Sequence, residues 1–308
     1  MRPTRPRLLL TYLLALAGCA RSAPHTTSAV VSTAAATRLA AAPDQYFTIR
    51  GGVRLRYREV GRGEPVILLH GYTQRLELMS ELADSLAKDF RVIVPDQRGF
   101  GESSKFSDPA RFGRVMGDDA IALLDAVQLR RAHLVGHSMG ALVAANVAAR
   151  FPDRVRTATL LAGPFFPDSA GLASLGAPWV SALERGEGFR TFLMWLFPEI
   201  SDSVAAGASA ELLAANDKGS LVAAMRAMGG LIVSPERAGR LRAPALVAVG
   251  TGDPLLPQSR AMAAWWPSAR FLEIPGVNHV DVMLRPEVLR AMRDMITAGA
   301  TPRPGSSP

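Results

Sequence analysis

Hydrophobic and polar positions change rhythm along the chain, and from about residue 45 the rhythm predicts strands alternating with helices. Tyr46–Arg50 and Val53–Val60 flank Gly51-Gly52, a pair that marks a hairpin. Pro65–Leu69 is a short unbroken apolar run, as expected of a strand covered on both faces. Arg91–Pro95, Arg131–Val135, Val155–Leu161, Ala245–Val249 and Arg270–Ile274 are further strand runs. Helical patterns cover Leu76–Ala87, Phe112–Val127, Ser138–Arg150, Gln258–Trp266 and Pro286–Thr297. This alternation predicts an α/β fold, with a mostly parallel eight-stranded sheet and helices on both faces.

The alternation stops between residues 163 and 239. That stretch holds helical segments broken by Gly and Pro, and it is far longer than an ordinary connection. It is expected to form a helical cap over a site. The core then falls into two parts, 45–162 and 240–298, and the Pro/Gly/Ser-rich residues 299–308 are expected to be a disordered tail.

Composition supports a large packed core: 48% of residues are hydrophobic and 20% charged. The formal net charge of +8 does not imply a nucleic-acid partner. Arg2, Arg5 and Arg7 account for three of these charges, and the other basic residues are scattered without interleaved aromatics.

Those three arginines precede an apolar run of ten residues, Leu8–Ala17. The run is too short to span a bilayer and reads as a secretory signal. Leu16-Ala17-Gly18-Cys19 resembles a bacterial lipobox. The resemblance implies loss of residues 1–18 and a lipid on Cys19, the only cysteine in the chain. Residues 19–44, rich in Ala, Ser, Thr and Pro, would then be a flexible tether to a cell-envelope membrane. Ala20 after the cysteine resembles the outer-membrane sorting pattern of a two-membrane bacterium. Simple secretion is the alternative.

The chemistry centres on Gly136-His137-Ser138-Met139-Gly140. This G-x-S-x-G follows a buried strand and opens a helix, the setting of a nucleophile elbow. A serine hydroxyl is a weak nucleophile and needs an adjacent base. Of the five histidines, His25 lies in the tether, His70 ends a strand and His133 lies within one. His137 adjoins the serine, where the turn is expected to point its ring away. That leaves His279, in a loop after the Arg270–Ile274 strand. Asp253, directly after Ala245–Val249, would project from the carboxyl end of the sheet and orient the imidazole. Asp281 is its nearest rival, but so close to His279 it is expected to shape the loop.

The order Ser138, Asp253, His279 matches that of the α/β-hydrolase superfamily, which the chain resembles from about Tyr46 to Ala298. His70-Gly71-Tyr72-Thr73 resembles its His-Gly loop, and Asp96–Ser103 its D-x-R-G-x-G-x-S segment, read here as structural. Carried over, the resemblance assigns the oxyanion hole to the backbone N–H groups of Tyr72 and Met139. It implies a small-molecule substrate and an acyl-enzyme route without cofactor or metal.

Ser138, where epoxide hydrolases and haloalkane dehalogenases of the fold carry aspartate, sets those groups aside. Thr73 replaces the proline common in relatives of the epoxide hydrolases, and the lipase His-Gly-Gly-Gly loop is missing. Carboxylesterases, lactonases, carbon–carbon bond hydrolases and perhydrolases remain open. The cap is dense in aromatic residues, and Phe165, Phe166 and Trp195 are expected to face an apolar pocket. An apolar acyl or alkyl ester is the favoured substrate. A non-catalytic binding protein of the same fold is the reading from another class, although such proteins usually lose a triad member and none is missing here.

Overall fold

Val66 and Leu68 point to one side of the run Pro65–Leu69, and Ile67 and Leu69 to the other, and both pairs are buried. The computed structural model describes residues 37–300. In it the strands are β1 (Gln45–Ile49), β2 (Val53–Val60), β3 (Pro65–Leu69), β4 (Arg91–Pro95), β5 (Ala132–His137), β6 (Val155–Leu161), β7 (Ala245–Gly250) and β8 (Ala269–Ile274). They form one sheet in the order β1-β2-β4-β3-β5-β6-β7-β8. β2 pairs antiparallel with both β1 and β4, and every other pairing is parallel.

The helices of the first core part are α1 (Arg38–Ala41), α2 (Ser80–Leu86), α3 (Arg114–Ala126) and α4 (Met139–Arg150). Between β6 and β7 come α5 (Ser169–Glu184), α6 (Arg190–Leu196), α7 (Asp202–Ala215), α8 (Lys218–Ala227) and α9 (Pro235–Ala238), with no strand among them. The last two are α10 (Leu256–Trp265) and α11 (Pro286–Ala300).

Alternation along the strands sorts the core into two apolar layers. Val66, Leu68, Val92, Val94, Leu246 and Ala248 pack with the apolar stripes of α2 and α11. Ile67, Leu69, Ile93, Leu134, Leu160 and Val247 pack with α3, α4 and α10, and this second layer continues into helices α5 to α8. The cap therefore shares a core with one face of the sheet. Ala141, Ala144, Ala145 and Ala148 are all buried, so α4 presents small side chains where it lies on β5 and β6.

Three expectations are corrected. The helix expected from Phe112 starts at Arg114, because Gly113 takes a φ of 66° and a side chain there would clash with Ala227 O. The end of the expected tether is ordered: α1 docks on Asp84, whose carboxylate accepts from Arg38 N–H (2.6 Å) and Leu39 N–H (3.0 Å). Leu39 is fully buried among Leu82, Leu86 and their neighbours, which holds the segment down. Finally, α11 runs through Gly299, expected in the tail, which lies against Thr157 and His133. The leader, Cys19, His25 and residues 301–308 lie outside the described residues.

Candidate active site

Strand order reverses between β3 and β5, the place where an open α/β sheet forms a crevice at its carboxyl edge. Ser138 sits there as the single residue between β5 and α4, with φ 53° and ψ −116°. Such a conformation costs a non-glycine residue roughly 1–3 kcal/mol, so its surroundings must enforce it. They do. Ser138 N–H donates to Leu161 O at 2.8 Å, tying the turn to β6. A side chain at Gly136 would overlap Gly140 O, and one at Gly140 would overlap Leu69 O. Both glycines are thus required by close backbone approach.

His279 and Asp253 arrive on two neighbouring loops, after β8 and β7. His279 Nδ1–H donates to Asp253 Oδ2 at 2.9 Å, while Asp253 Oδ1 accepts from Leu255 N–H at 2.8 Å. Both residues are buried. The loops are pinned together by Gly252 N–H to Val277 O (2.9 Å) and Gly276 N–H to Thr251 Oγ1 (2.7 Å). A side chain at Gly250 would overlap Val277 O. Asp281 does not reach the imidazole: it accepts from Asn278 Nδ2–H at 2.9 Å and, with Asn278, shapes the loop.

Ser138 and His279 line one cavity with Tyr72, Met139, Pro164, Leu255 and a wall of cap residues. That wall is Leu172, Leu175, Trp179, Phe192, Trp195, Leu196, Met225 and Met228, so no Arg, Lys, Asp or Glu borders the cavity. The space is narrow, about 30 Å³. Ser138 Oγ has no hydrogen-bond partner among the described residues, and neither has His279 Nε2. The N–H groups of Tyr72 and Met139 are likewise unpartnered among them. Gly71, next to Tyr72, brings its backbone close to Ser138, since a Cβ there would lie 3.2 Å from Ser138 Cβ. The arrangement offers a hydroxyl, an imidazole oriented by a carboxylate, and two free amide donors around an apolar space.

Trp195 lines this cavity, whereas Phe165 and Phe166 do not. Phe165 folds back over Gly163 beside Ala141, and Phe166 packs on Gly171 at the start of α5. Trp179 and Phe192 take their place, with ring centroids 4.9 Å apart. Sequence placed the aromatics in the cap but carried no signal for which faced inward.

His137 also differs from expectation. Its ring does not point away from the site but packs against His279, centroids 4.8 Å apart, with Nε2 2.9 Å from His279 O. Burial, and then the facing His279, push its pKa down to about 3, so the ring is neutral and Nε2 carries the proton it donates to that carbonyl. His70 is buried and satisfied: its Nε2 accepts from Gln97 N–H at 3.0 Å and its Nδ1–H donates to Gly71 O at 2.8 Å. Asp96 and Arg98 tie down their segment. Asp96 accepts from Leu76 N–H, Glu102 N–H and Arg56, and Arg98 forms a bidentate pair with Asp119 at 2.5 Å.

Comparison with known proteins bears on the fold. The family profile described as alpha/beta hydrolase fold matches residues 64–190. A 2-hydroxymuconate semialdehyde hydrolase of Pseudomonas sp. (strain CF600) is 38% identical over 130 residues, covering 40% of this chain and 46% of that protein. The chain spans less than half the length of the curated relatives it matches. Among solved structures, a thermophilic esterase from Thermogutta terrifontis superposes with a TM-score of 0.70 at 27% identity, covering 84% of this chain and all of that one. An enol-lactonase from Burkholderia xenovorans LB400 superposes at 0.68 with 23% identity, covering 82% and all of that chain, a likeness of fold.

Proposed function

Starting from the α/β-hydrolase fold that this chain adopts, we propose that it is a serine hydrolase acting on apolar carboxylic esters through an acyl-enzyme on Ser138. The observation that carries the proposal is Ser138 held on its strained turn in one cavity with the Asp253-oriented His279. His279 Nε2 takes the serine proton as Oγ attacks the ester carbonyl, and the oxyanion forms against Tyr72 N–H and Met139 N–H. The ester C–O bond then breaks, and the imidazolium passes its proton to the departing alcohol. A water, deprotonated by His279, attacks the acyl-serine, and its proton returns to Ser138 Oγ as the acid leaves.

The cavity lining supports an apolar acyl group. The relative from Pseudomonas is named for an anionic substrate, and no cation lines this cavity to meet one. A lactone, an activated carbon–carbon bond or hydrogen peroxide as acyl acceptor would use the same three residues. A panel of p-nitrophenyl esters, lactones and peptides, run with wild type and Ser138→Ala, tests the proposal. Ester turnover lost in the variant supports it. Turnover of every ester surviving Ser138→Ala would overturn it, as would failure of a fluorophosphonate to label Ser138.

We further propose that the leader directs this chain across the inner membrane and that a lipid on Cys19 holds it to the envelope. That reading rests on Leu16–Cys19 and on the lack of another cysteine. Mass spectrometry of the mature amino terminus tests it: a lipidated Cys19 supports anchoring, and an unmodified terminus beyond residue 19 refutes it.

A further inference from the structure

The oxyanion loop is gripped by the cap. Gly71–Gln74 is a turn closed by Gln74 N–H to Gly71 O (3.3 Å) and by Gly71 N–H to Gln74 Oε1 (2.7 Å). Its third residue, Thr73, has φ 65°, a left-handed conformation unusual for a β-branched side chain and ordinarily given to Gly or Asn. Nothing within the turn bonds the Thr73 carbonyl. The cap does: Asn216, directly after α7, donates from Nδ2 to Thr73 O at 3.1 Å and to Leu212 O at 3.0 Å. One amide group thus joins the last turn of α7 to the core loop.

The preceding residue is held from the same side. Tyr72 O–H donates to Leu221 O of α8 at 2.9 Å. Its buried ring stands edge-on to Phe189 and Phe192 of the cap and to Phe100 of the core. Burial pushes the Tyr72 hydroxyl pKa up, so it remains a donor. Two consecutive residues of the loop, 72 and 73, are therefore fixed by cap residues 216 and 221.

We propose that Asn216 is a positioning residue that holds Thr73 left-handed and thereby aims Tyr72 N–H at the carbonyl Ser138 attacks, so the cap completes the oxyanion hole as well as covering the pocket. The link to rate rests on the serine-hydrolase reading; the clamp itself does not. Without the clamp, Thr73 relaxes toward negative φ and the loop turns its amide away. Glycine at 73 would keep the left-handed conformation unaided.

The test compares Asn216→Ala and Asn216→Asp, the latter similar in shape but without the donating N–H, in wild-type and Thr73→Gly backgrounds. In the wild-type background each should lower kcat for a p-nitrophenyl ester by about tenfold or more, since an oxyanion donor is misaligned. The inhibition constant of a trifluoromethyl ketone, which forms an oxyanion on Ser138, should rise by a similar factor while KM stays within about twofold. In the Thr73→Gly background the loss from Asn216→Ala should shrink to about threefold or less. Equal losses in both backgrounds would overturn the proposal, and so would unchanged kcat and ketone inhibition.

Backbone hydrogen exchange at residues 72–74 supplies an arm independent of activity. Faster exchange there in Asn216→Ala, at unchanged Tm, supports the clamp, and unchanged exchange overturns it. If the wild type fails to react with a fluorophosphonate at Ser138, the hydrolase reading falls, and exchange alone decides the clamp.

Discussion

His137 Nε2 lies 2.9 Å from the main-chain oxygen of His279, so the residue before the elbow serine props the loop that brings the imidazole to it. The two are 142 positions apart in sequence. A carbonyl can only accept, which makes the proton on Nε2 essential to the contact.

Removing that donor should misplace His279. His137→Leu, which fills the space without an N–H, is expected to lower kcat by about tenfold or more, because small displacements of a base are costly. His137→Asn, which can donate, should recover part of the rate. Steady-state kinetics beside thermal melts check this. If both variants fold and lose the same activity, His137 serves only to fill space.

Ser138 and His279 should behave as a unit. Ser138→Ala is expected to lower turnover by about 10⁴-fold or more, and adding His279→Ala should cost little further. Single-turnover assays on Ser138→Ala, His279→Ala and the double variant measure the coupling. Additive losses would mean that His279 acts on something other than the serine.

Trp195 should govern acyl size. It is half-buried, lines the cavity and packs at a tilt against Trp179 with centroids 4.9 Å apart. Trp195→Ala should widen the narrow cavity and raise the preference for long over short esters by about tenfold, since each added methylene is worth about 1 kcal/mol or more in an apolar pocket. Rates on esters of graded chain length decide it. A fall in Tm with an unchanged ratio would place Trp195 in the cap's own packing instead.

Stability should fall in mild acid. Burial, helped by Arg156 and Arg131, pushes His133 down to about 4, and His137 stands at about 3. Both rings are neutral when folded, whereas the unfolded chain protonates them near the ordinary histidine value of about 6.5. The unfolded state thus binds more protons below that value. The stabilisation is whole above pH ~6.5 and is lost as pH falls toward the folded values. Each ring should contribute a loss of about 2 kcal/mol between pH ~6.5 and ~5, read from denaturant midpoints. Replacing His133 by Gln should flatten that slope, and an unaltered slope would show that other groups set it.

The sequence by itself determined the features that depend on near neighbours. Unbroken apolar runs marked strands covered on both faces, and the strand–Gly-His-Ser-Met-Gly–helix order marked the elbow, because a two-glycine turn of that tightness has few other uses. Asp253 and His279 were readable from their places just after strands β7 and β8, since loops at the carboxyl edge converge whatever their composition. The tertiary structure alone decided what those residues meet. Leu39 and Asp84 capture a stretch whose Ala-rich composition looked like free tether. Trp179 and Phe192, rather than Phe165 and Phe166, face the cavity, because periodicity reports that a side chain is buried but not against what. Asn216 reaches Thr73 and His137 reaches His279 across 143 and 142 positions, contacts that exist only once the cap and the loops carrying Asp253 and His279 have closed over the same edge of the sheet.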